Sequence, residues 1–243
     1  MRSRIVRLST PGTLAELIAA RLLRRLCELQ ESKDEVNLCL TGGSTADLVY
    51  ERFAEIAVAS PLELPRLHLW WGDERFVAAT DPDRNSLQAI SRLARTLPVQ
   101  TAKIHMMAAK EGRADPHEAA AEYAAELGDV WFDITLLGMG PDGHVASIFP
   151  DHRSFEPTSR SVIGVTDSPK PPSERISLTL PTLSRSDEVW FMATGAGKAE
   201  MITRAVEGDA GIPAGHPRGS VATYWFLDDA AASALPPRFD CQI

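Results

Sequence analysis

The chain of 243 residues is long enough for one large α/β domain, and 44% hydrophobic with 24% charged residues is the composition of an ordinary folded protein, not of a disordered or fibrous one. A net charge of −8 argues against a general nucleic-acid or membrane-surface role, because phosphate backbones and anionic headgroups call for broad basic faces. Cys27, Cys39 and Cys241 suit neither a disulfide framework nor a zinc site, and no apolar run approaches the ~18 residues of a membrane span, so a soluble cytoplasmic protein is expected.

Residues 13–29 place Leu14, Leu17, Ile18, Leu22, Leu26 and Leu29 at helical spacing, with Thr13 and Glu16 in the form of a capping box. The basic run at 21–25 falls inside this helix and reads as a solvated face. Val36 to Leu40 reads as a buried strand, 41–44 as a turn, and 45–58 as a helix with Leu48, Val49, Phe53 and Ile56 inward. Leu67 to Trp71 is a second core strand, followed by a polar loop over 80–86 and a helix from Leu87. Asp115-Pro116 starts another helix and Gly128 closes it. Ile134 to Leu137 is an apolar strand feeding a turn with Gly138, Gly140 and Gly143, which presents Asp142 and His144 ahead of a possible helix start. Strands are predicted at 175–180, 189–193 and 223–226, a helix at 197–206, and loops at 168–173 and 212–219, either of which can border a pocket. The alternation predicts a single α/β domain over 1–243, its sheet parallel or mostly parallel and covered by helices.

Four constellations carry chemistry. Gly42, Gly43, Ser44 and Thr45 lie between a buried strand and a helix, so amides and hydroxyls converge near the positive end of a helix dipole: an anion cradle, though a tight turn is the plainer alternative. It is neither a Walker loop nor the full dinucleotide fingerprint. Asp73, Glu74 and Arg75 end a core strand after two tryptophans that read as core, and Arg75 there can clamp phosphate or stabilise an oxyanion, unless the trio is only an ion-pair cluster. Arg175 begins a strand and Lys198 begins a helix, which directs two cations toward the same sheet edge. His144 suits a general base, histidine being the side chain that ordinarily exchanges protons near neutrality, with Asp142 or Asp73 to orient the imidazole or a water. No histidine pair has metal-ligand spacing with carboxylate or thiolate support, so metal-independent chemistry is expected.

The segments LCLTGGST, LWWGDERFV, LLGMGPDGHVASIFP, RISLTLPTL and GAGKAEM, in that order from about Thr13 to Ala232, resemble the 6-phosphogluconolactonase family, whose superfamily includes glucosamine-6-phosphate deaminases. The resemblance implies a Rossmann-like fold with helices on both faces. It further implies hydrolysis of 6-phospho-D-glucono-1,5-lactone in the oxidative pentose phosphate pathway, without metal, nucleotide or other cofactor. By the same resemblance His144 matches the general base, Arg75 an active-site arginine, and Gly42, Gly43, Ser44, Thr45, Arg175 and Lys198 the phosphate end. A phosphosugar lactone is the expected partner, with neither nucleic acid nor membrane, and the oligomeric state is open. Deaminases generally carry a glutamate before the proline where Phe149 precedes Pro150, and an aromatic residue where Arg75 stands, so both positions favour the lactonase. The alternatives are such a deaminase or a non-catalytic sugar-phosphate sensor, although the first 35 residues offer one helix and no basic reading surface.

Overall fold

Strands covered on both faces need apolar side chains in both directions, and the central runs of this chain have them. The computed structural model describes residues 3–100 and 103–239; Cys241 lies outside them. β2 (Val36–Leu40), β3 (Leu67–Trp71), β5 (Phe132–Leu137), β8 (Ser186–Ala193), β9 (Ala222–Asp228) and β1 (Arg4–Leu8) form one six-stranded sheet in the order β1-β9-β8-β5-β2-β3. Every pairing within it is parallel. All six residues of β5, at its centre, are buried.

Because side chains alternate along a strand, the sheet divides its apolar residues between two cores. Leu38, Leu40, Ile134, Leu136, Trp190 and Phe226 face α1 (Pro11–Gln30), α2 (Ser44–Ala57) and α3 (Asn85–Leu93). Cys39, Leu137, Val189, Phe191 and Trp225 face the opposite way, toward α4 (Pro116–Leu127) and α6 (Ala199–Glu207). A small antiparallel sheet, β4 (Asp73–Arg75), β7 (Arg175–Leu178) and β6 (Val162–Val165), adds to this second side, and the one-turn α5 (Leu180–Leu183) links it back to β8. The mostly parallel sheet with helices on both faces is therefore as expected.

Several details differ from the sequence reading. α1 begins two residues earlier, with Thr10 as its N-cap and Thr13 completing the box, so Glu16 has no part in it. On α2, Val49 and Phe53 point inward but Leu48 and Ile56 are exposed; the inner stripe is completed by Tyr50, Ala54 and Ala57. Tyr50 is drawn in by its hydroxyl, which accepts from Thr41 N (3.0 Å) and donates to Thr41 O (2.8 Å), and so pins the start of the glycine turn. No helix follows His144: residues 145–148 close a tight bridged turn instead. β1, β6 and the second sheet were not anticipated.

Candidate active site

Ligands of open α/β sheets collect beyond the carboxyl ends of the strands, at the point where the strand order reverses. Here that point lies between β2 and β5: from β2 the chain proceeds outward to β3, then returns to place β5 on the other side. The loops leaving β2, β3, β5 and β8 surround a cleft of about 660 Å³, counting its open mouth, lined by Gly42, Gly43, Ser44, Thr45, Asp73, Arg75, Asn85, His144, Arg175 and Lys198. A volume of this size suits a small-molecule ligand. Nine of the eleven residues singled out from sequence line one wall or another of it; Asp142 stands just behind His144, and Glu74 turns away to the start of α3.

The β2–α2 turn presents its amides at the helix N-terminus, where orphan N–H groups and the dipole favour an anion. Gly42 is required by close approach: a Cβ there would fall 1.9 Å from Asn85 Oδ1. Thr45 Oγ1 shares a hydrogen bond of 3.0 Å with Thr194 Oγ1, tying this turn to the loop after β8 that carries Lys198. Lys198 lies in a single 3-10 turn ahead of α6, and burial, then the charge of Lys170, lowers its ammonium pKa, with Asp228 opposing.

Arg75 and Arg175 are cross-strand partners in the small sheet. None of Arg75, Arg175 and Lys198 forms an ion pair among the described residues. Arg75 Nε and Asn85 Oδ1 are buried without a protein hydrogen-bond partner. Cations left unpaired around one cleft concentrate positive potential there, despite the acidic surface of the chain as a whole.

His144 sits at the end of the β5 loop with its Nδ1 2.5 Å from Asp142 Oδ1. Partial burial pushes the Asp142 carboxyl up, but the hydrogen bonds and charges of His144 and Lys170 outweigh it and hold the group well below the usual carboxylate range. An ionised carboxylate only accepts, so Nδ1 carries the hydrogen and the lone pair is left on Nε2. Asp73 is differently engaged: Oδ2 accepts from Ser147 Oγ (2.7 Å) and Oδ1 from Asn85 Nδ2 (3.2 Å). The hydrogen bond to the imidazole thus belongs to Asp142 and not to Asp73. Glu74 is fully buried and accepts from the backbone N–H of Asn85 (2.6 Å), Ser86 (2.9 Å) and Arg75 (2.9 Å), which makes it the cap of α3.

Gly140 supports the His–Asp pair from beneath, since a Cβ at that position would lie 2.0 Å from His144 Cε1 and Nδ1 and 2.5 Å from Asp142 Oδ1. Gly140→Ala is expected to displace the imidazole and lower kcat by about 100-fold, the order that a 1 Å misplacement costs, with the fold retained by circular dichroism. Wild-type kcat in that variant would show that the ring tolerates displacement.

Two neighbours escaped the sequence reading. Asn85 had been placed in the loop before α3, where periodicity gives no functional signal; its only trace is the glycine it requires at position 42. Lys170, in the proline-rich 168–173 loop, brings Nζ to 3.1 Å from both Asp142 Oδ1 and His144 Nδ1. The 212–219 loop also abuts the site, with Ala214 N donating to Gly143 O (3.0 Å) and Ile212 packed on Gly143.

The family described as glucosamine-6-phosphate isomerases/6-phosphogluconolactonase matches residues 9–225. The chain is 43% identical to the 6-phosphogluconolactonase of Streptomyces coelicolor, covering 92% of this chain and 91% of that one. It is 34% identical to the human 6-phosphogluconolactonase, with 94% and 91% covered. A solved 6-phosphogluconolactonase from Thermotoga maritima superposes with a TM-score of 0.84 at 28% identity, over 93% of this chain and all of that one.

Proposed function

The chain belongs to the glucosamine-6-phosphate isomerase/6-phosphogluconolactonase family, and from that membership we propose that it is a cytoplasmic enzyme hydrolysing 6-phospho-D-glucono-1,5-lactone to 6-phospho-D-gluconate in the oxidative pentose phosphate pathway. The observation that carries the reading at the site is an imidazole with a free Nε2, held by Asp142, sharing a cleft with three unpaired cations and a helix N-terminus.

The phosphate is anchored by Gly42, Gly43, Ser44 and Thr45 with Lys198 and Arg175, and the ester ring extends toward His144. Remote binding energy is thereby converted into orientation at the carbonyl. His144 Nε2 takes a proton from water as the oxygen attacks C1, while Asp142 fixes the tautomer and steadies the imidazolium that forms. Arg75, with its Nε unpaired, stabilises the charge that develops on the carbonyl oxygen. When the tetrahedral intermediate collapses, the C1–ring oxygen bond breaks and the imidazolium returns its proton to the departing ring oxygen. Asp73 holds Ser147 and Asn85 in place in this scheme. All the groups invoked are protein side chains and amides, and no metal or cofactor takes part.

The deaminase alternative needs a carboxylate at position 149, and Phe149 is instead fully buried with its ring 4.8 Å from that of His144. The deciding experiment is turnover of freshly generated lactone against a no-enzyme control, since the lactone opens spontaneously, beside an assay for ammonia release from glucosamine 6-phosphate. Lactone hydrolysis no faster than background would end the proposal; binding of 6-phosphogluconate without turnover would point to a sensor. Lys198→Ala is expected chiefly to raise KM for the phosphorylated lactone and to leave hydrolysis of unphosphorylated δ-gluconolactone unchanged. A loss confined to kcat would remove Lys198 from the phosphate end.

A further inference from the structure

We propose that Lys170 is a positioning residue of the general base, its ammonium set against the His144–Asp142 pair by the 168–173 loop so that it opposes a second proton on the imidazole. The kinetic arm of this inference rests on the lactonase reading, and its spectroscopic arm does not.

The loop is built to deliver that ammonium. Arg175 donates from Nη2 to the carbonyls of Lys170 (3.2 Å) and Pro171 (3.0 Å) and from Nε to that of Pro172 (3.1 Å), so one guanidinium holds three successive peptide groups. Ser168 closes the turn, its N donating to Ser173 O (3.0 Å) and its hydroxyl to Lys170 O (3.0 Å). Prolines at 171 and 172 restrict the chain further and lower the entropy lost on ordering it. Arg175 itself is fixed from behind, its guanidinium 5.6 Å over the Phe149 ring that also lies against His144.

The contact has a definite electrostatic sense. Nδ1 already carries a hydrogen directed at Asp142 Oδ1, and an ammonium has no acceptor, so Nζ donates to that same oxygen. Its 3.1 Å approach to Nδ1 is then a cation beside a ring, which disfavours a second proton on the ring. Asp142 alone would fix the tautomer but also favour the imidazolium; Lys170 offsets the second effect while leaving the first. The other charged groups around His144 are Asp73 and Arg75 from the β3–β4 corner, Arg175 from β7 and Lys198 ahead of α6, all lining the same cleft. Asp73 is tied up by Ser147 and Asn85, and Arg175 by the loop carbonyls; among the described residues Lys170 is the cation with a hydrogen-bond-range contact to the imidazole.

The test compares wild type with Lys170→Met and Lys170→Arg. In Lys170→Met the acid limb of kcat moves to higher pH by about one pH unit, because loss of a neighbouring cation favours the charged imidazole. Lys170→Arg, which keeps the charge, restores the wild-type limb. The same displacement appears in the NMR titration of the His144 Cε1 proton, identified by its absence in a His144 variant. That readout needs no turnover, so it separates failure of this inference from failure of the lactonase reading. Circular dichroism verifies the fold of each variant, and a Lys170→Gln variant repeats the titration if the methionine is not tolerated. An unmoved titration and acid limb in the uncharged variants would overturn the proposal, as would a rise in KM with the pH profile unchanged, which would assign Lys170 to the phosphate end.

Discussion

Replacing His144 with alanine is expected to lower kcat by about 10²- to 10⁴-fold, the contribution of a positioned proton-transfer group. The structure gives this expectation its direction. His144 lines the cleft, its Nδ1 is committed to Asp142, and its Nε2 is left for the proposed role of base. KM should change little, because the groups proposed to anchor the phosphate stand on other strands: the turn after β2, Arg175 on β7 and Lys198 after β8. The melting temperature should also hold, since the ring is packed into a solvent-facing loop and not into either apolar core. Rates of fresh lactone opening, corrected for the spontaneous reaction at each pH, provide the measurement. A variant with near-wild-type kcat would mean that some other group takes the proton from water.

Glu74→Ala should act on stability instead. Its fully buried carboxylate accepts three backbone N–H bonds, two of them at the start of α3, and lies 3.6 Å from the buried Arg84 guanidinium. Truncation leaves those donors and that guanidinium without their partner in a site closed to water. Removing one member of a buried charged pair costs about 3–5 kcal/mol, which for a chain of this size corresponds to a melting temperature lower by about 10 °C. Arg84 already has one buried Nη1 without a partner, so the residue has little slack to absorb the loss. Thermal melts followed by circular dichroism decide the matter: a change of only a degree or two would mean that water enters and replaces the carboxylate.

The contrast between neighbouring carboxylates shows where sequence reasoning reaches and where it stops. Asp73 and Glu74 are adjacent in a motif that sequence alone left open between chemistry and an ion-pair cluster. Their alternation across β4 decides it, one side facing the cleft and the other facing α3. His144 and the turn at Gly42 were legible because their chemistry is local: the special residues and the backbone they need lie within a few positions of each other. Lys170 and Asn85 were not legible, since each reaches the site through contacts made by distant residues, the Arg175 guanidinium in one case and the Asp73 carboxylate and carbonyl in the other.

The errors in the elements have similar causes. Leu48 and Ile56 fit a helical spacing as well as Val49 and Phe53 do, but α2 buries only the stripe toward α1, α3 and the sheet, and the hydroxyl of Tyr50 fixes its rotation through Thr41. β1 carries arginines at both ends of its apolar pair as an edge strand, and β6 contains Gly164, so neither shows a pattern strong enough to read. Gly164 is nonetheless essential to the packing there, as a Cβ would meet the backbone of α4 at Pro116 and His117.

The way the cleft is divided among strand ends bears on how such a protein can change over time. In the proposed scheme the tether for the substrate's tail is the turn after β2 with Lys198 after β8 and Arg175 on β7, whereas the proposed base stands after β5, beside Arg75 of β4 and a separate strap ahead of β7 that carries Lys170. Because these pieces meet only in space, the reactive side can be rewritten by altering a few positions such as 149 and 170 while the handle that grips the ligand is inherited intact. One frame can therefore be turned to new transformations of the same phosphorylated sugars without having to relearn how to hold them.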